Sequence, residues 1–257
     1  MIDAYIIPIR DNPTSHNASS RLVRSIDQTG SKINVHVSNA VTPSTLKDTM
    51  TSYFGNSPIS NIRWTYPTDE NENRLDIGSG LKLSAYATAS IDKRISCLMS
   101  HYVLWYYCAK INKPIMILEH DALFTREFNY DNVKNKFTGQ VLGLNSPYKA
   151  TRRASVFNDK VTAASGAFIT DPEGYNQPDV ISQTPWVDDH DVPQGIAGNS
   201  AYILKPKGAI KLMELIGEHG MWPNDAIMCK QLMGNHALQV VYPYYSTVQG
   251  TRSTTTL

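Results

Sequence analysis

A short apolar run at residues 114–118, Pro-Ile-Met-Ile-Leu, stops abruptly at two carboxylates, Glu119 and Asp121. A continuous run of this length, preceded by proline, is typical of a buried strand. Open α/β sheets bind ligands at the carboxyl ends of their strands, so this strand would deliver both acidic side chains to a binding edge. The sequence therefore predicts an α/β fold with a site for a divalent cation and a phosphate at that edge.

Acid-x-acid spacing is weak evidence by itself, and position along the chain separates this pair from two others. Glu70 and Glu72 lie in a polar stretch that is typical of a solvated loop. Asp189 and Asp191 follow no strand-like run. Side chains alternate along a strand, so His120 should point away from both carboxylates and serve a structural role.

Hydrophobic periodicity alternates between strand and helix along most of the chain, which favours a layered α/β domain over residues 1–257. The clearest helix runs from 92 to 112, with Asp92 as its expected N-cap. Residues 39–92 show little periodicity, and the proline-rich range 145–194 predicts a long functional loop. The other expected elements are strands at 4–9, 33–37, 139–144, 199–204 and 237–242 and helices at 20–29, 206–219 and 224–233.

Composition excludes several classes of partner. The net charge is +1 and no block of like charge occurs, so duplex DNA and a membrane surface are not favoured. No stretch approaches the roughly 18 apolar residues of a membrane span, and no basic leader begins the chain, so we expect a cytoplasmic protein. The three cysteines form no CxxC pair, which predicts inert core thiols and no structural zinc.

Five separated segments carry a second pattern. They are SCLMSHYVLW at 96–105, ILEHDALF at 117–124, GNSAYILKPKGA at 198–209, PND at 223–225, and Tyr242-Pro243 with Gln249. In this order they resemble the GCxxSHxxxW, ILEDDxxF, GxxAYLxSxxGAxxL, PxD and YPPLVxQ motifs of glycosyltransferase family 25, the lipooligosaccharide and collagen galactosyltransferase-like group. One departure is His120, which replaces the family's second acid.

The resemblance implies a GT-A-like single domain with a mixed, mainly parallel sheet flanked by helices. It further implies inverting transfer of a hexose from a UDP-sugar to a hydroxyl of a saccharide, a hydroxylated side chain or a modified nucleobase. Mn²⁺ or Mg²⁺ is the implied cofactor, with Asp121 as a ligand and Glu119 as a ligand or ribose partner. Carboxylate oxygens suit these hard ions. Residues 145–194 have no counterpart in the family pattern and are expected to shape the acceptor site.

Further candidates each have a structural alternative. Asp225 is the expected catalytic base, although a carboxylate at a helix start also complements the macrodipole. Asp188, Asp189 and Asp191 compete with it for this role. The candidates for donor binding are Pro8, Ile9, Arg10, Arg21, Ser100 and His101, and His236 and Gln249 are candidates for further metal contacts.

Two alternative functions stay open from the sequence. A catalytically degenerate module that binds a sugar or nucleotide would explain His120 in the acidic triplet. A metal-dependent hydrolase would use Asp121 together with the acidic cluster at 188–191.

Overall fold

The computed structural model of this chain describes residues 1–55, 63–69, 72–85, 90–151, 153–166 and 178–250. Within these ranges the strands are β1 Ile2–Ile7, β2 Ile33–Val37, β3 Asn73–Asp76, β4 Leu81–Ser84, β5 Ile115–Glu119, β6 Ala122–Phe124, β7 Val141–Gly143, β8 Val180–Gln183, β9 Ala201–Leu204, β10 Leu238–Tyr242 and β11 Ser246–Val248. The helices are α1 Pro13–Gln28, α2 Pro43–Phe54, α3 Ile91–Ile111, α4 Tyr130–Val133, α5 Ala154–Ser165, α6 Pro206–His219, α7 Asn224–Ile227 and α8 Lys230–Met233.

A seven-stranded sheet in the order β2-β1-β5-β9-β7-β10-β8 forms the centre of the fold. Strands β2, β1, β5, β7 and β10 run in one direction, and β9 and β8 run against their neighbours. This arrangement confirms the predicted α/β class with a mixed, mainly parallel sheet. Two small antiparallel pairs, β6 with β11 and β3 with β4, lie outside it.

Strand β5 explains why its sequence is apolar at every position. Ile115 and Ile117 pack into one hydrophobic cluster with α3 and α6. Met116 and Leu118 pack into a second cluster on the other face with α1. A strand that is buried on both faces has no polar alternation, and it carries Glu119 to the carboxyl end of the sheet.

Two helix starts differ from the prediction. Helix α1 begins at Pro13, not residue 20, because the Asn12 side chain caps it and its first turns bury only small residues, which hides the periodicity. Helix α3 begins one residue before the predicted start, and its N-cap is Ser90, whose hydroxyl accepts from the backbone N–H of Lys93. Asp92 therefore lies in the first turn and is not the cap.

The two ranges predicted as irregular contain regular structure. Helix α2 and strands β3 and β4 fall within 39–92, and α2 has no fully buried residue that would create an apolar stripe. Helix α5 and strand β8 fall within 145–194, so this range is not one continuous loop. The helix predicted at 224–233 is broken into α7 and α8, because Met228 leaves the helical backbone conformation.

No helix in the described part of the chain combines the length and apolarity that crossing a bilayer requires.

Candidate functional site

A cavity of about 590 Å³ opens at the carboxyl ends of β1 and β5 and the start of β9. Its walls come from the segments after β1, before α2, along the N-terminal half of α3, and before β9 and α7. Six residues predicted for the site line it together: Ile9, Ser100, His101, Glu119, Asp121 and Asp225. The carboxyl end of the sheet is therefore the edge at which these separated segments meet.

Glu119 is held by neighbouring polar groups. Its Oε1 lies 3.2 Å from Nε2 of His101, and Asn224 bonds to the same carboxylate. Burial by itself raises the pKa of Glu119, but its hydrogen bonds to His101 and Asn224, and the positive charge of the His101 and His120 rings when they are protonated, lower it, and the net pKa lies below its ordinary value. Glu119 is therefore ionised at neutral pH and fixed in place.

Asp121 has the opposite electrostatic character. Its Oδ1 is buried and has no hydrogen-bond partner in the structure. Burial and the charge of Glu119 raise the pKa of Asp121 to about 7, although a hydrogen bond from the Ser200 side chain opposes the rise. A buried carboxylate oxygen without a partner, beside a second carboxylate, is an environment that a divalent cation would relieve.

His120 was expected to point away from both carboxylates, yet it lines the same cavity as they do. Its ring donates to the backbone carbonyl of Ile7 at the end of β1. Burial lowers the pKa of His120 despite the attraction of Glu119, so the ring favours its neutral form.

Gln249 and Arg21 are hydrogen-bonded to each other, and neither lines the cavity. Gln249 Oε1 accepts from Arg21 Nε at 2.6 Å, and its Nε2 donates to the carbonyls of Ala18 and Ala122. The backbone N–H of Gln249 also donates to the carbonyl of Asp121. Both amide atoms of Gln249 bond to protein groups, so Gln249 stabilises the segment that carries Asp121.

Several other candidates lie away from the cavity. Asp188 pairs with Arg153 at 3.0 Å, Asp191 pairs with Lys82 at 2.7 Å, and neither these two nor Asp189 lines it. The arrangement of Asp121 with the cluster at 188–191 that a hydrolase would use is therefore not formed.

The remaining candidates, Pro8, Arg10 and His236, lie next to the ends of strands. Pro8 and Arg10 flank Ile9 after β1 but are not lining residues. His236 is exposed just before β10, which runs in the same direction as β5. His236 therefore lies at the opposite edge of the sheet from Asp121.

Two buried polar residues on the cavity wall were missed by the sequence reasoning. Asn199 is only 6% exposed and Ser96 only 3%, yet both line the cavity. Both amide atoms of Asn199 and the hydroxyl of Ser96 lack a hydrogen-bond partner in the structure. Such groups are rare in folded proteins because each costs about 1–3 kcal/mol, so they point to a missing ligand or water. The signal was available, since Ser96 and Asn199 both stand in motif segments, at 96–105 and 198–209.

Cys97 also lines this cavity and so differs from the predicted core thiols, whereas Cys108 and Cys229 are buried. The ligand atoms of Cys97, His101 and Glu119 lie within 4.8 Å of one another. Burial and the charges of Glu119 and Asp225 raise the pKa of the Cys97 thiol far above its ordinary value. A protonated thiol is a poor ligand, which favours the carboxylate oxygens as the cation-binding groups.

Similarity to solved structures has been found for glycosyltransferases. The chain shares 9% identity with mouse xyloside xylosyltransferase 1, covering 89% of this chain and 81% of that one, with a TM-score of 0.42. It shares 12% identity with LgtC, a galactosyltransferase solved with donor and acceptor sugar analogues, covering 93% and 72%, with a TM-score of 0.38. It shares 9% identity with the bifunctional glycosyltransferase WbbM, covering 93% and 38%, with a TM-score of 0.41. Likenesses at this level carry no argument about what this chain binds.

None of the curated proteins compared with the chain matches it. The model of glycosyltransferase family 25, described as LPS biosynthesis protein, matches residues 1–228. This match covers most of the 257 residues and includes every residue that lines the cavity except Val248 and Gly250. The chain therefore belongs to glycosyltransferase family 25 and is a glycosyltransferase.

Proposed function

We propose that this glycosyltransferase is metal-dependent and transfers a hexose from a UDP-sugar to an acceptor hydroxyl with inversion at the anomeric carbon. The observation that carries the proposal is the buried, unpartnered Oδ1 of Asp121 beside ionised Glu119 at the carboxyl end of the sheet. Oxygen ligands of this kind suit Mn²⁺ or Mg²⁺, so Asp121 would hold the ion, and Glu119 would hold it or the ribose. When bound, the ion neutralises charge on the departing nucleoside diphosphate.

Cationic side chains on the cavity wall support binding of a diphosphate. Lys93 and Arg94 lie near the start of α3, and Lys149 also lines the cavity, with its side chain next to Gly250. Arginine and lysine are the side chains that bind phosphate oxygens through charge-assisted hydrogen bonds. These residues would orient the donor and stabilise the negative charge that remains on the nucleotide.

Asn199 and Ser96 are the groups that we assign to the sugar. An amide offers both a donor and an acceptor, and a hydroxyl offers either, which matches the hydroxyl groups of a hexose. Their buried atoms have no partner in the protein, so hydrogen bonds to the sugar would be gained without breaking existing ones. The Asn199 amide is buried in the free protein, and its side chain would turn toward the cavity when the sugar binds.

Asp225 is our proposed base. Inverting transfer needs one group to take the proton of the attacking hydroxyl, and Asp225 presents an exposed carboxylate on the cavity wall at the start of α7. Lys149 and Ala150 bring the range 145–194 to the same cavity, which supports an acceptor-shaping role for that range. The acceptor would be a saccharide, a hydroxylated side chain or a modified nucleobase.

The proposal is tested by measuring UDP release from a panel of UDP-hexoses, with and without Mn²⁺, in the presence of the three acceptor classes. Turnover should require the metal and fall at least about 100-fold in Asp121→Asn, the range seen when electrostatic catalysis is removed. Asp131→Asn is the matched control, since Asp131 lies on α4, pairs with Lys134 and does not line the cavity. Unchanged turnover in Asp121→Asn would overturn the metal assignment, and metal-independent UDP binding without any turnover would favour the binding-module alternative.

A further inference from the structure

A buried chain of hydrogen bonds connects the protein interior to Glu119. The indole Nε1 of Trp105 donates to the hydroxyl of Tyr202 at 2.9 Å, and this hydroxyl lies 2.9 Å from Nδ1 of His101. Nε2 of His101 then lies 3.2 Å from Oε1 of Glu119. Trp105, Tyr202 and His101 are at most 1% exposed, so water does not compete for these bonds.

The donors and acceptors along this chain of hydrogen bonds determine which nitrogen of the His101 ring carries the proton. An indole N–H only donates, so the oxygen of Tyr202 accepts from Trp105. The hydroxyl has one proton of its own, and Nδ1 of His101 is its other partner in the structure. Tyr202 therefore donates to Nδ1, which must carry a lone pair, and the proton of the ring sits on Nε2. That N–H points at the carboxylate of Glu119.

We propose that Tyr202 is a positioning residue that, by donating to Nδ1, holds the ring of His101 with its Nε2–H toward Glu119 and thereby fixes the orientation of Glu119. Tyr202 is opposite Ile117 in the pairing of β9 with β5, and it does not line the cavity. It acts through His101 and not on the substrate. Without its hydroxyl, Nδ1 is left buried without a hydrogen-bond donor, so the ring is no longer held in this orientation and its bond to Glu119 weakens.

This assignment links three of the motif segments physically. Trp105 and His101 belong to the helix motif, Glu119 to the strand motif, and Tyr202 to the segment before α6. The hydroxyl of Tyr202 bonds directly to Trp105 and His101, and the ring of His101 extends the chain to Glu119. The consequence for catalysis rests on the proposed function, because it assumes that Glu119 contacts the metal or the ribose.

Nitrogen-15 NMR of histidine-labelled protein reads the tautomer directly and needs no activity. Wild-type His101, assigned by comparison with His101→Gln, should show a protonated Nε2 and an unprotonated Nδ1. In Tyr202→Phe the resonance of Nδ1 should shift, because this nitrogen loses the hydrogen bond from Tyr202. Tyr245→Phe is the matched control, since Tyr245 is also fully buried but its hydroxyl donates to Asp179, away from the cavity.

Kinetics then separate positioning from general destabilisation. Tyr202→Phe should lower kcat about 10–100-fold, as loss of an outer hydrogen bond to a metal-site group does. In a Glu119→Gln background the same change should alter kcat by less than about twofold, because the residue through which it acts is already lost. Tyr245→Phe should leave both the Nδ1 resonance and kcat unchanged.

An Nδ1–H ring in the wild-type protein would overturn the inference even if Tyr202→Phe does not fold. Additive kinetic effects of Tyr202→Phe and Glu119→Gln would also overturn it, since they would indicate a role independent of Glu119. Failure of the proposed function shows itself differently, as metal-independent turnover or none at all, with the wild-type tautomer as predicted.

Discussion

The substitution Asp121→Asn is expected to stabilise the metal-free protein at alkaline pH while removing its activity. Burial and the charge of Glu119 raise the pKa of Asp121 to about 7 from an ordinary value of 3.8. The fold therefore favours the protonated acid, and this contribution to stability is present at low pH and is lost as the pH rises through about 7. Asparagine has nearly the same size and does not ionise, so the variant avoids the loss.

The magnitude follows from the size of the pKa displacement, which corresponds to about 4 kcal/mol between the two protonation states. Asp121 is half-buried and the Ser200 side chain bonds to its carboxylate, so part of the ionised form is solvated. We therefore expect ~2 kcal/mol in the free energy of unfolding, half of that ceiling. In a chain of this length such a gain raises Tm by about 4–8 °C.

Thermal unfolding of EDTA-treated protein, followed by circular dichroism at pH 8 and pH 5, measures this effect. The variant should unfold at the higher temperature at pH 8, and the difference should be smaller at pH 5 and vanish below pH 3.8, where Asp121 is protonated in both the folded and the unfolded wild type. Added Mn²⁺ should raise the Tm of the wild type alone at pH 8, because only the wild type binds the ion. Asp131→Asn, in which an exposed partner of Lys134 is changed, should gain no stability at either pH. A Tm of Asp121→Asn equal to or below that of the wild type in metal-free buffer at pH 8 would refute the electrostatic argument.

Four further outcomes are expected. Gln249→Ala removes the bonds to Arg21, Ala18 and Ala122, so urea unfolding should show a loss of about 1–3 kcal/mol and calorimetry a weaker affinity for Mn²⁺. Gly198→Ala should destabilise by about 1–3 kcal/mol, since φ is +74° and the new Cβ would lie 2.8 Å from Cβ of Ala150, whereas Gly217→Ala in α6, with open space around it, should not lower Tm. Asn199→Ala should weaken binding of UDP-hexose but not of UDP in calorimetry, with no fall in Tm, because the lost amide has no partner in the free protein. Cys97 should react slowly with iodoacetamide at neutral pH by mass spectrometry, because burial and nearby carboxylates raise the pKa of its thiol; rapid alkylation would contradict this environment.

The elements predicted well from sequence are those whose burial leaves a pattern. Helix α3 and strand β5 are long or wholly apolar, so their periodicity is visible without a partner. Helix α2 buries no residue fully, and β3 is almost entirely exposed, so neither leaves a hydrophobic signal. Helix α5 packs only Phe157 and Val161 into a small cluster, which proline-rich surroundings obscure. These elements form because neighbouring segments pack against them, and those contacts cannot be predicted from the sequences of the elements themselves.

The candidate site divides along the same line. Glu119 and Asp121 could be selected from the sequence because a strand end is a local feature. Their partners are distant in the chain, and only the tertiary structure brings Asn199 to the same cavity and the hydroxyl of Tyr202 to His101, which contacts Glu119. The tertiary structure also places His236 at the opposite end of the strands, and it hydrogen-bonds Gln249 to Arg21.

What the sequence determined by itself is the buried strand, its two terminal carboxylates and the ordered motifs of the family. These follow from the hydrophobicity and the spacing of residues within short windows of the sequence. Only the tertiary structure decided that Glu119 is ionised and Asp121 resists ionisation, although a single residue separates them. The physical reason is that a pKa depends on burial and on the charges and donors across the cavity, and those are contributed by helices and strands from elsewhere in the chain.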